Sequence, residues 1–169
     1  PSREQQAECV ITSKMDEKGK MLARLAMAIQ FFVPGMPCIY YGDEYGMHGL
    51  MDPFNRGTFF ENDKETYQEI LKLTGLRNTE KALQTGYALY MALGDRILAI
   101  LRFISEKKDV FGEPSENQAI LLLVNPTDEE EEIVFDLNTA KEGVNEKTLK
   151  ALYKNLNHDK IETKIAPFD

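Results

Sequence analysis

Apolar residues recur at helical spacing through "KGKMLARLAMAIQFFV", residues 18 to 33. Leu22, Leu25, Ile29 and Phe32 form one stripe, and Met21, Ala28 and Val33 widen it. The pattern predicts a substantially buried helix, with Ser13 and Asp16 as a capping pair and Pro34-Gly35 as its stop. Residues 1 to 15 carry no such period and read as an irregular lead-in. After Pro37 comes the short continuous apolar run "CIYY", ended by Gly42. Such a run predicts a strand covered on both faces, with Cys38 as a buried thiol. Tyr40 and Tyr41 would then point to opposite sides. A second helix is expected from Asn62 and Glu65, a capping-box pattern, to "GLRN" at 75 to 78, with Tyr67, Ile70, Leu71 and Thr74 inside.

The period then changes. "YALYMAL" and "RILAILRF" are strand-like and separated by Gly94-Asp95, a two-residue hairpin signal. "QAILLLVN", "EIVFDL", "TLKALY" and "KIETKI" follow, each bounded by turn or charged residues. Short strands at this spacing predict a small antiparallel β-sandwich. A boundary near Thr85-Gly86 divides the chain into a helix–strand–helix unit, 1–85, and a sandwich, 86–169. The class is α+β.

Charge removes several kinds of partner. The net charge is −8 over 169 residues, and no basic stripe stands out, so nucleic-acid binding is not expected. No apolar run approaches the roughly 20 residues that span a bilayer, so no membrane partner is expected. The N-terminus shows no secretion signal and no initiator Met. The expectation is a cytoplasmic protein cut from something longer, with both ends truncated. "DEEEE", Asp128 to Glu132, reads as a solvated turn, because no glycine-punctuated calcium loop surrounds it. Two cysteines, Cys9 and Cys38, and two histidines, His48 and His158, make neither a disulfide framework nor a zinc set. No metal and no cofactor is expected.

The stretch from Pro34 to Arg56, "PGMPCIYYGDEYGMHGLMDPFNR", holds the candidate chemistry. It resembles the eighth-strand region of the α-amylase family of glycoside hydrolases, whose pattern runs P-G-x-P-x-I-Y-Y-G-x-E-x-G and then D-P-x-N-R. The wording "GMPCIYYGDE" is similar to the neopullulanase, cyclomaltodextrinase and maltogenic-amylase branch. The resemblance implies the last helix–strand–helix of a β/α barrel followed by a small antiparallel β-sandwich, with residues 42–56 on the catalytic face. It implies retaining cleavage of α-glucosidic bonds and an α-glucan oligosaccharide as partner. The family's catalytic carboxylates follow other strands, and their motifs do not occur here. No residue of this chain is therefore expected to be catalytic, and the chain alone is expected to be inactive. Asp43 and Glu44 are adjacent and poorly placed for the roughly 5 Å separation of a retaining pair.

The substrate-binding candidates are Asp52, Arg56, Glu44, Tyr41 and His48. Asp52 and Arg56 suit charge-assisted hydrogen bonds to sugar hydroxyls, and also suit a plain salt bridge across a long loop. Glu44 reads first as a loop-shaping acceptor, and Tyr41 and Tyr45 first as packing residues. Gly42 and Gly46 serve backbone geometry. The family's Pro-Met-x-Trp continuation is replaced by "GTFFENDKE", and the chain has no tryptophan, which leaves the linkage preference open. A non-catalytic carbohydrate-binding or interaction scaffold and a transglucosidase of the same family are the alternatives. Exposed barrel edges would favour self-association.

Overall fold

A computed structural model describes residues 2–61, 63–136 and 160–165. The elements are helices α1 (Arg3–Ala7) and α2 (Ser13–Phe32), a 3-10 turn at Asp43–Tyr45, and helices α3 (Lys64–Thr79) and α4 (Lys81–Thr85). Strands β1 (Tyr87–Leu93), β2 (Ile97–Ile104), β3 (Gln118–Val124), β4 (Glu131–Asp136) and β5 (Lys160–Ile165) follow.

Helix starts are set by short side-chain acceptors, one residue away from the expected caps in each case. Thr12, not Ser13, caps α2, its Oγ1 accepting from the Met15 N–H at 3.3 Å. The helix thus begins before the apolar stripe does, because its first turns are polar. Asp63 caps α3 through the Thr66 N–H at 3.0 Å; Asn62 lies outside the described residues. The lead-in is not irregular either. Ser2 and Gln5 form a capping box for α1, a helix too short to show a period. On α3 the buried positions are Thr66, Ile70 and Arg77, whereas Leu71, expected inside, is 44% exposed. One step from Ile70 turns a side chain about 100° around the axis, off the packed face.

Strands β1, β2 and β3 form an antiparallel sheet in that order, and β4 pairs with β5 in a second. Leu93 pairs with Ile97, so the first hairpin has the three-residue loop Gly94-Asp95-Arg96 rather than two residues. Gly94 adopts φ 60° there. Arg96 leaves the strand and pairs with Glu129 at 2.6 Å and Glu131 at 3.4 Å, inside the acidic run. The "TLKALY" segment lies outside the described residues.

The middle strand β2, flanked by β1 and β3, is buried along nearly its whole length. On one face Leu89, Ala99, Leu101 and Phe103 form a cluster flanked by Met91 and Leu121. On the other, Ile100 packs with Leu83 of α4 and Phe32 of α2. This second cluster joins the helices to the sheet.

Two buried arginines reinforce the joint. Arg77 of α3 donates through Nη1 to the Phe31 carbonyl at 2.7 Å and the Val33 carbonyl at 3.2 Å, and through Nη2 to the Gly35 carbonyl. Arg102 of β2 donates through Nη1 to the Phe32 carbonyl at 2.7 Å, through Nη2 to Gly86 at 2.9 Å, and through Nε to Tyr87 at 3.3 Å. These carbonyls include those left open at the C-terminus of α2, the negative end of its dipole. Burial pulls both guanidinium pKa values down, and for Arg102 the Arg77 charge adds to this.

The expected buried strand at 38–41 does not form. The chain there makes no ladder, and Cys38, Tyr40 and Tyr41 are exposed. A strand exists only through hydrogen bonds to a neighbour, and no described strand lies beside this one. Tyr40 and Tyr41 therefore do not face opposite sides; the chain turns at Tyr41, and their rings lie 4.8 Å apart.

Leu83 is fully buried at the joint. Leu83→Ala is expected to lower the unfolding free energy by about 2–5 kcal/mol, read from urea midpoints at unchanged slope.

Candidate functional site

The loop from Gly42 to Gly57 is shaped by its own glycines and by a few long-range tethers. Gly42 adopts φ 91°, and a Cβ there would lie 2.6 Å from Met47 Sδ. Gly46 adopts φ 61° at the end of the 3-10 turn. Both glycines thus serve backbone geometry, as expected. Glu44 folds back, its Oε2 accepting from the Gly42 N–H at 2.8 Å, and the Met47 N–H closes onto the Gly42 carbonyl at 2.9 Å. The Tyr45 ring stacks on Tyr67 of α3 at 4.7 Å and meets Phe59 edge-on at 5.6 Å. This is packing, and it fixes the turn on α3.

Tyr41 has a different part. Its hydroxyl donates to the Gly57 carbonyl at 3.1 Å, across 16 residues, and closes the base of the loop. The buried Gln6 of α1 supports the far side, its Oε1 accepting from the Met51 N–H at 2.8 Å. At the tip Asp52 and Arg56 meet, Arg56 Nε donating to Asp52 Oδ1 at 2.6 Å. Their side chains are 55% and 70% exposed. A pair so open contributes little to stability, yet it presents acceptors and donors side by side, as vicinal hydroxyls require.

His48 turns instead toward α2, with Nδ1 3.6 Å from Asp16 Oδ1. Lys20 bridges Asp16 at 3.1 Å and Asp63 at 3.4 Å. The hydrogen bond from Lys20 to Asp16 is the main cause raising the ammonium pKa, against the effect of burial. For Asp63, burial pushes the carboxyl up, but the Thr66 N–H and hydroxyl and the Lys20 charge outweigh it and hold the pKa low.

Between α2 and the loop lies a groove of about 610 Å³ whose walls include Ala23, Met27, Cys38, Met47 and Asp43. Burial raises the Asp43 carboxyl pKa, a main-chain hydrogen bond from Tyr40 opposes this, and the Glu44 charge adds to it. Among the described residues no group of three or more His, Cys, Asp or Glu side chains is arranged to hold a metal. None of the described helices is long and apolar enough to cross a membrane. His158 lies outside the described residues.

Of the five candidates the structure joins Asp52 with Arg56, sets Tyr41 at the loop base, and gives Glu44 and His48 other partners. Gln6, Asp16, Lys20 and Asp63, which hold the loop and its surroundings, were not among the candidates. The Asp16–Lys20 pair is a local spacing of four, but the contacts of Gln6 with Met51, Asp16 with His48 and Lys20 with Asp63 span long sequence separations that no local pattern reports. Tyr41→Phe is expected to speed exchange of the Phe54 and Arg56 amides several-fold, with a stability loss of about 0.5–1.5 kcal/mol at most. Unchanged exchange in the loop would show that the hydroxyl does not close it.

No protein-family model matches the chain. It is similar to an amylopullulanase of Thermoanaerobacterium thermosulfurigenes, 34% identical over 129 residues, which covers 75% of this chain and 7% of that enzyme. It is similar to a cyclomaltodextrinase of Geobacillus thermopakistaniensis (strain MAS1), 30% identical over 119 residues, covering 68% of this chain and 19% of the relative. The chain thus spans less than a fifth of the length of these two relatives. The crystal structure of a maltogenic amylase from S. marinus superposes with a TM-score of 0.61 at 25% identity, covering 92% of this chain and 19% of that one. These likenesses take in two thirds or more of the chain in sequence and most of it in fold, and the chain belongs to the α-amylase family of glycoside hydrolases, matching the C-terminal region of its members.

Proposed function

We propose that this chain is the C-terminal portion of a retaining α-glucan hydrolase acting on maltodextrin-like substrates. In this reading residues 1–85 complete a β/α barrel and residues 86–169 form the terminal β-sandwich. The loop 42–57 lies at the catalytic face, where Asp52 and Arg56 grip a glucose unit away from the scissile bond. The observation that carries the reading is the segment Cys38–Tyr41. It is apolar in sequence and makes no ladder, and its Cys38 lines a mostly apolar groove, as fits a strand whose neighbours belong to another part of a sheet. Gln30 of α2 fits the same reading, since its Oε1 is buried with no partner among the described residues. The open edges of the segment are also available to a second copy of the chain. The names of the relatives supply the substrate class.

The chain by itself is then inert. Glu44 is turned onto the Gly42 N–H and Asp52 is held by Arg56, so neither faces an opposing carboxylic acid across a bond. Incubation of the purified chain with maltodextrin should release no reducing ends above background. Sustained turnover through repeated purification would overturn this reading.

The role of Arg56 is tested in the full-length enzyme. Arg56→Ala is expected to lower kcat/KM on long maltooligosaccharides roughly 10-fold, since losing a charge-assisted hydrogen bond costs about 1.5–3 kcal/mol. A short substrate that does not reach the loop should lose much less. The exposure of the Asp52–Arg56 pair predicts little change in Tm. Equal losses on short and long substrates would remove Arg56 from substrate contact.

A further inference from the structure

We propose that Arg77 is a positioning residue for the loop carrying Asp52 and Arg56; the substrate role of that loop rests on the function proposed above. Helix α2 ends at Phe32, and Val33, Pro34 and Gly35 turn the chain into the segment that leads to the loop. Between Gly35 and Tyr40 the main chain makes no ladder, so its course depends on what holds its two ends. Arg77 holds the first end, gripping the carbonyls of Phe31, Val33 and Gly35 with one guanidinium. Tyr67 holds the second, through its ring stack on Tyr45. Both belong to α3 and lie ten residues apart, about 15 Å along the helix axis. One rigid helix therefore fixes both ends of the arm that delivers the loop. Gly35, at φ 115°, takes a backbone conformation open to glycine, and the guanidinium fork selects this one by bonding its carbonyl. Lysine in the same place would offer a point charge without the planar fork.

Arg102 is the natural control. It is more deeply buried still, grips the same helix end at Phe32 and bonds only main-chain carbonyls among the described residues. It makes no bond to residues 33–35. A purely structural role for Arg77 predicts that losing either arginine has the same consequences. Positioning predicts that they differ.

The experiment compares Arg77→Met, Arg77→Lys and Arg102→Met in this chain by residue-level amide exchange, well below every melting midpoint. The reporters are the N–H groups of Gly42, Asp43, Tyr45, Gly46 and Met47, all hydrogen-bonded within the turn. Arg77→Met should speed their exchange at least 10-fold with the β2–β3 amides unchanged, and Arg77→Lys should restore part of the protection. Arg102→Met should leave the turn amides near wild type. Equal effects of both Met variants, or no effect of Arg77→Met or Arg77→Lys, would overturn the proposal. If Arg77→Met does not fold, Arg77→Lys against Arg102→Lys carries the same comparison. A second arm separates this from the substrate reading. In the full-length enzyme Arg77→Met should lose kcat/KM on long substrates by a factor like that of Arg56→Ala, and the double variant should lose no more than either. Released turn amides with equal losses on short and long substrates would keep Arg77 as the positioner and remove the substrate role of the loop.

Discussion

Everything in this fold is organised around the C-terminal end of α2, where three elements meet through main-chain carbonyls. A helix end inside a protein leaves carbonyls that must find donors. Here the donors are two guanidinium groups, one from α3 and one from β2, and every hydrogen bond they make among the described residues goes to a carbonyl. The oriented dipoles of the last turn and of the Gly86–Tyr87 entry to β1 take the place of a counter-ion. Arginine suits this because its several planar donors satisfy carbonyls in different directions and it keeps its charge when buried. Close packing leaves the site little room to adjust: a Cβ on Gly86 would lie 2.4 Å from the Ala82 carbonyl oxygen and 2.8 Å from that of Phe103.

The apolar joint and the polar clamp sit side by side and do different work. Phe32, Leu83 and Ile100 hold helices and sheet together without direction. The clamp supplies direction, since hydrogen bonds of 2.7–3.3 Å fix which carbonyl meets which nitrogen. The sheet is thus tied to the polypeptide that leads to the loop, although it lies beyond that loop in sequence.

The loop shows the opposite economy. Its tip is exposed and held by short-range bonds, and its base is closed by one tyrosine hydroxyl. In the function proposed above, the loop needs polar groups open to solvent and a main chain that does not drift, and separate residues meet the two needs. Asp52 and Arg56 present the polar groups. Tyr41, Tyr45 and Gln6 hold the main chain.

The sequence by itself determined the periodic elements, the loop signature and hence the family. Helical spacing located the long helices, short β-rich runs between turn residues located β1 to β5 as far as they are described, and "PGMPCIYYGDE" carried the kinship. These are local patterns, legible because each is read within one turn or one strand. The Asp52–Arg56 pairing was legible too, at a spacing of four. Caps shifted by one residue because Thr, Ser, Asp and Asn compete for the same position, and the local geometry decides among them. What only the tertiary structure decided were the interactions that join distant residues: Arg77 and Arg102 as carbonyl donors, Tyr41 as the lock of the loop, and Gln6 as its support. The unpaired state of Cys38–Tyr41 belongs here as well. An apolar run states that a segment is fit for a covered strand, but strand formation needs donors and acceptors from a neighbour, and a sequence read along one dimension does not say whether that neighbour is there.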